Sequence, residues 1–165
     1  MLVFVLNAGS SSLKYQLINA QTSELKASGL VERIGIDGIL KHEIGENKKL
    51  TFELSIPTHK EAIELVLRIL TNDETKVINS IKEIQAIGHR VVHGGEFFKE
   101  STIVTKDVIE KIEQLIPLAP LHNPANIMGI KICQELMPNV PNVTVFDTAF
   151  HQTMTKENFL YAVPY

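Results

Sequence analysis

Cysteine is almost missing from this sequence: Cys133 is the single one among 165 residues, so no disulfide can close within the chain and a disulfide-stapled secreted fold is excluded. Its place in an apolar helical pattern points to a buried thiol rather than a reactive one. Long hydrophobic runs are missing too. The opening stretch Met1–Leu6 has no basic segment before it and is too short for a signal-peptide core or a membrane span. The expected location is the cytoplasm, with no membrane partner. Nor is there an excess of positive charge: 16 Lys and Arg against 19 Asp and Glu give a net charge of −3, which excludes nucleic acid as the main partner. Any anion this protein binds must be held by a few placed groups. Asn142-Val143-Thr144 matches a glycosylation acceptor, and without a secretory route the match is coincidental.

Two phosphate-binding signatures are absent as well. There is no Gly-x-x-x-x-Gly-Lys-Ser/Thr and no Gly-x-Gly-x-x-Gly, so P-loop and dinucleotide-binding readings lose their main support. Six histidines are present, but no His-Glu-x-x-His, cysteine pair or EF-hand pattern accompanies them, which argues against structural zinc. His89 and His93 are four apart on an expected strand, where that spacing is not the helical one a zinc site uses. Magnesium differs, because one or two protein oxygens plus substrate phosphates hold it; Asn7 and Asp147 would suffice.

What is present is ordinary globular material, 44% hydrophobic and 21% charged, enough for one domain with one core. Leu2–Leu6 reads as a buried strand, and residues 14–19 and 24–34 continue an antiparallel meander. Leu40–Ile44 and Leu50–Ile56 form a further hairpin, expected as a peripheral insertion. Thr58 to Glu61 has the form of a capping box before a helix through Ala62, Ile63, Val66, Leu67 and Leu70. A weaker helical stretch, Val77–Glu83, leads into a strand over Ile84–Val92. Thr105 caps a helix that Pro117 stops. Asn123 as N-cap with Pro124 at the first helical position opens another, with Ile127, Ile130, Cys133 and Leu136 as its buried stripe. Val143–Phe146 is a last strand, ending at Asp147. Strands followed by alternating strands and helices predict an α/β fold: a mixed five-stranded sheet with flanking helices. The apolar ending Tyr161–Tyr165 reads as a cut within a longer polypeptide.

The segment Asn7-Ala-Gly-Ser-Ser-Ser-Leu-Lys14 lies between two strands. A glycine and three hydroxyls there give either an ordinary hairpin turn or a nest of backbone N–H groups that binds phosphate oxygens. Four more polar groups fall at strand ends or helix starts, where open sheets place ligands: Asn7, Arg90, His122 and Asp147. Each has a structural alternative, an ion pair for Arg90 and a helix cap for His122 and Asp147. Their joint occurrence beside the turn favours a site.

Four blocks in order, Asn7 to Lys14, Gly88-His-Arg-Val-Val-His-Gly-Gly-Glu96, Ala119-Pro-Leu-His-Asn-Pro-Ala-Asn126 and Val145-Phe-Asp-Thr-Ala-Phe-His-Gln-Thr153, resemble the signatures of acetate kinases. Propionate and butyrate kinases are near relatives. The resemblance implies a ribonuclease H-like, actin-like fold, with residues 1–165 as the N-terminal lobe of a two-lobed, homodimeric kinase. The implied reaction is reversible transfer of the ATP γ-phosphoryl group to acetate, giving acetyl phosphate and ADP, with Mg²⁺. It assigns Asn7 to the metal and phosphate end, Ser10, Ser11, Ser12 and Lys14 to nucleotide phosphates, and Arg90 to the substrate carboxylate. His122 is assigned to transition-state stabilisation, Asp147 to the catalytic carboxylate, and Val92 and Leu121 to the acyl pocket. Thr155 stands where the family commonly has Pro. Two other readings are a propionate or butyrate kinase and a non-catalytic assembly module on the same scaffold.

Overall fold

The opening apolar run becomes strand β1 (Leu2–Ala8), which buries Phe4, Leu6 and Ala8 on one face and leaves Val3, Val5 and Asn7 half-buried on the other. This is the period of two that separates the faces of a sheet. The computed structural model describes residues 1–45, 48–160 and 162, without the side chains of 151, 156 and 159. On one side of β1 an antiparallel meander follows: β2 (Leu13–Asn19), β3 (Glu24–Glu32), β4 (Ile39–Ile44) and β5 (Lys48–Glu53). On its other side β6 (Ile84–Val91) pairs parallel to β1, β8 (Asn142–Phe146) pairs parallel to β6, and the two-residue β7 (Thr102–Ile103) closes the edge.

The sheet therefore has eight strands in the order β5-β4-β3-β2-β1-β6-β8-β7. The expected five are its middle, β3 to β8 through β1. The hairpin expected at the periphery instead continues the same sheet. β3 has an outer edge of backbone groups to satisfy, and β4 pairs with it from Ala27↔Ile44 to Glu32↔Ile39. Leu40 and His42 of β4 are fully buried, so the hairpin also completes the core.

Helices α1 (His59–Thr71), α2 (Lys106–Gln114) and α3 (Asn123–Leu136) lie against one face, and a short α4 (Lys156–Phe159) follows. Ala62, Ile63, Val66 and Leu70 of α1 and Cys133 of α3 meet Phe4, Leu6, Leu13 and Leu17. A second cluster joins Val108 and Ile112 of α2 and Ile127 and Ile130 of α3 to Val91, Phe98 and Phe146, the last two rings stacked 4.2 Å apart. Cys133 is fully buried and desolvation pushes its thiol up to about 12, as expected for a structural cysteine. Asn142 is buried and bonded to His89, which closes the glycosylation reading.

Three local expectations shift. At α1 the Thr58 hydroxyl accepts the Lys60 N–H as a cap should, but Glu61 takes the Thr58 hydroxyl instead of its backbone N–H. The complete capping box belongs to Ser80 and Glu83, where the expected Val77–Glu83 helix contracts to one 3₁₀ turn, Ile81–Glu83. Finally, His122 occupies the N-cap position of α3 and its side chain makes no capping bond, because the Asn123 amide is engaged elsewhere. Residues 46 and 47 and most of the apolar ending lie outside the described residues.

Candidate functional site

Sheet register places the site. Asn7 of β1 faces Lys14 of β2, Leu6 pairs with His89 of β6, and Arg90 pairs with Val145 of β8. Asn7, Lys14, Arg90 and Asp147 thus fall on the face that carries no helix, at the carboxyl ends of β1, β6 and β8. β1 has an antiparallel neighbour on one side and a parallel one on the other, so this is the switch point where open sheets bind ligands.

The Arg90 guanidinium is the hub. Its Nε and Nη2 donate to the two carboxylate oxygens of Asp147 at 2.9 and 2.6 Å, and its Nη1 donates to the Asn7 Oδ1 at 3.4 Å. The Asp147 carboxylate raises the Arg90 pKa further, so the fork is always charged. The Arg90 and Asp147 side chains remain 49% and 41% exposed. A pair that open contributes about 1 kcal/mol or less to stability, so holding the fold together does not account for its place on the bare face.

The turn Gly9–Ser12 stands beside this hub with its carbonyls satisfied and its amides open. The Gly9 N–H donates to the Ser12 carbonyl at 2.8 Å, the Ile34 N–H donates to the Ser11 carbonyl at 3.0 Å, and His59 Nε2–H donates to the Gly9 carbonyl at 2.7 Å. Ser10 and Ser11 are exposed, and their N–H groups donate to nothing among the described residues. That is the arrangement of an anion nest. Lys14, exposed on β2, has no carboxylate partner among the described residues. A shallow cavity of about 450 Å³, lined by Val5, Asn7, Lys14, Gln16, Ser28 and Leu30 among others, opens next to it.

His122, Leu121 and Val92 occupy the rim. His122 is exposed, hydrogen-bonds to neither Arg90 nor Asp147, and is carried to this end of the sheet by α3. Leu121 is 76% exposed, and Val92 is half-buried just past β6. Among the described residues no three His, Cys, Asp or Glu side chains cluster closely enough to hold a metal ion. The Asp147 carboxylate and Asn7 amide are hard oxygen donors, and each keeps lone pairs beyond those Arg90 uses. They suit a cation shared with phosphate oxygens, not one caged by protein.

Four residues here escape a reading of the sequence. Asn123 and Asn126 are buried and bond the backbone of His93, Val92 and Ala8. His59 holds the Gly9 carbonyl, and the Thr148 hydroxyl accepts the Gly94 N–H at 3.0 Å. A signal existed for the asparagines: they continue the apolar stripe Ile127, Ile130, Cys133 backwards at helical spacing, so they had to be buried polar groups with partners.

The model of the acetokinase family matches residues 2–165. The chain belongs to the acetokinase family. It is 58% identical to an acetate kinase of Agathobacter rectalis and 54% identical to one of Caldanaerobacter subterraneus, all of this chain aligning in both cases with 42% and 41% of those proteins. The crystal structure of Porphyromonas gingivalis acetate kinase superposes with a TM-score of 0.95 at 45% identity, over 99% of this chain and 41% of that one. A propionate kinase from Francisella tularensis gives 0.88 at 42% identity with the same coverage. The mixed sheet is therefore the lobe architecture of this family, and the chain spans about two fifths of the length of its curated relatives. Among the described residues no helix is long and apolar enough to cross a membrane.

Proposed function

We propose that this acetokinase-family chain is the N-terminal lobe of an acetate kinase, which transfers the ATP γ-phosphoryl group to acetate and regenerates ATP from acetyl phosphate. One observation carries the reading: Asn7, Arg90 and Asp147, from three separate sequence blocks, meet on the bare face beside a turn with free amides.

A carboxylate with a pKa of about 4 is ionised at neutral pH, so it attacks phosphorus without a general base. The obstacle is the approach of two anions, and the site must supply positive charge and in-line placement. Arg90 presents a planar fork matched to a carboxylate or to phosphoryl oxygens. In the unliganded lobe Asp147 occupies that fork, so an arriving acid exchanges for Asp147 and no bare cation waits in the cleft. The exposed His122 imidazole donates to the oxygens that gain charge in the transition state. Ser10–Ser12 and Lys14 receive nucleotide phosphates, and Val92 and Leu121 bound the acyl group. Mg²⁺, when bound, neutralises phosphate oxygens; Asp147 and Asn7 would hold it.

The second lobe supplies the remaining half of the phosphoryl clamp, the full-length protein is a homodimer, and it works in the cytoplasm, where a lone thiol stays reduced. Pocket volume alone separates acetate from propionate or butyrate, at about 1 to 3 kcal/mol per methylene. A hydroxamate assay of acyl phosphate formation by the two-lobed protein, across acids of increasing chain length, tests the reading. Best turnover on acetate is expected; no acyl phosphate from any acid sinks it, and leaves an assembly module on this scaffold as the alternative.

A further inference from the structure

β1 and β6 pair as parallel neighbours only as far as Leu6↔His89. Beyond that point each turns to its other neighbour: Asn7 and Ala8 pair with Lys14 and Leu13, and Arg90 and Val91 pair with Val145 and Phe146. The two strands part where the site lies, and the Ala8 carbonyl and the Val92 N–H are left facing the gap. The carboxamide of Asn126 fills it. Its Nδ2 donates to the Ala8 carbonyl at 2.8 Å and its Oδ1 accepts the Val92 N–H at 3.1 Å. One donor and one acceptor on a planar amide reproduce a peptide unit, so the side chain acts as a rung between two strands that no longer touch.

The rung is fixed at its base. One turn along α3, an added methyl on Gly129 would come within 3.0 Å of the Ala8 Cβ, so the helix already rests on β1 and cannot slide inward. On the other side Asn123, with no exposed surface, accepts the His93 N–H at 3.2 Å and donates to the His93 carbonyl at 3.1 Å. The first turn of α3 therefore grips the ends of both strands, and His122 is the residue immediately before that grip. A helix that needed only a stable seat would carry an apolar residue at position 126, as it does at 127 and 130; removing both partners of a buried hydrogen bond costs little.

We propose that Asn126 is a positioning residue: it sets the width of the opening between β1 and β6, and through it the placement of Asn7 against Arg90 and of His122 at the rim. This rests on the kinase reading for its catalytic consequence but not for its geometry. The gap it spans is also the one that the contact from Arg90 Nη1 to Asn7 Oδ1 crosses.

Asn126→Asp tests it in the two-lobed protein, because a carboxylate keeps the bond to Val92 and sets an acceptor against the Ala8 carbonyl. Misplacement of this kind is expected to lower kcat by roughly 10- to 100-fold. The KM for ATP should stay within about twofold, since the nucleotide turn is anchored elsewhere. Ile63→Val, a core change remote from the site, serves as the comparison for lost melting temperature and should keep full kcat. The Arg90 Nε–H resonance gives a readout independent of turnover, and it should move in Asn126→Asp and not in Ile63→Val. If Asn126→Asp does not fold, Asn126→Ser, which shortens the rung, is expected to give the same pattern. An unchanged kcat with an unmoved Arg90 signal overturns the proposal, as does an equal fall of kcat in Ile63→Val. A wild-type protein that makes no acyl phosphate, in which Asn126→Asp still displaces Arg90, overturns the kinase reading and leaves the rung standing.

Discussion

The hydroxyl of Tyr15 on β2 reaches Nδ1 of His42 on β4 at 2.5 Å, across the intervening strand β3. Register explains how: Tyr15 pairs with Gly29, and Gly29 pairs with His42, so the three stand in one row. A Cβ on Gly29 would lie 2.4 Å from the Tyr15 hydroxyl, and the absence of a side chain there is what lets the bond pass. The bond ties the hairpin to β2, whose neighbouring residues Lys14 and Gln16 face the site side of the sheet.

Gly29→Ala is therefore expected to destabilise the lobe by about 1 to 3 kcal/mol through overpacking. Tyr15→Phe, which leaves a buried imidazole nitrogen unpaired, should cost about 1 to 3 kcal/mol as well. In the double variant the two costs should fall short of additive, because both break the same bond. Urea unfolding curves of the three variants check this.

Arg90→Ala should separate stability from activity. The pair with Asp147 is half-exposed, so its loss should change unfolding free energy by about 1 kcal/mol or less. Turnover should fall on the order of 10²-fold or more, since the fork that meets the anions is gone. Thermal melts beside a hydroxamate assay give both numbers from one preparation.

His122→Ala extends the same test to the rim. The imidazole is exposed and makes no capping bond, so stability should move by no more than about 0.5 kcal/mol. A loss of roughly 10²-fold in kcat is expected from removal of one transition-state donor. A fall in melting temperature with unchanged kcat would reassign His122 to structure.

Acid should weaken the fold through His89. Burial, partly offset by its bond to Asn142, lowers its pKa from 6.5 to about 4. Above pH 6.5 folded and unfolded chains are both neutral there and nothing is gained or lost. Between 6.5 and about 4 the unfolded chain binds a proton that the folded chain refuses, so stability falls as pH falls, and it levels off below about 4. The full effect is on the order of 3 kcal/mol. His42, buried and also lowered, adds to the same slope. Unfolding free energies of the wild type and His89→Gln at pH 4.5 and 7 check it; the variant should show the shallower dependence.

Much of this was legible beforehand where the signal is local. β1 was readable because apolar residues alternate with little interruption, and Thr105 announced α2 because a hydroxyl before a helix satisfies an otherwise unpaired N–H. The start of α3 was misplaced by one residue, since Asn123 has the chemistry of a cap and spends it on the His93 backbone. That choice depends on a strand end 30 residues away. The hairpin's place as part of the main sheet was hidden for a similar reason: an unpaired strand edge is a property of the assembled sheet, and no single segment displays it.

The sequence alone determined which groups are available: a turn rich in amides and hydroxyls, one arginine, one histidine and one aspartate in distinct blocks, no disulfide and no basic surface. Residue chemistry and short-range periodicity are carried by neighbours in the chain, so they can be read from order. Only the tertiary structure decided that Arg90 meets Asp147 and Asn7 while His122 waits at the rim, and that Asn126 spans the gap between them. Those relations depend on strand register and on where two strands part, quantities fixed by burial of one sheet face against helices from distant segments.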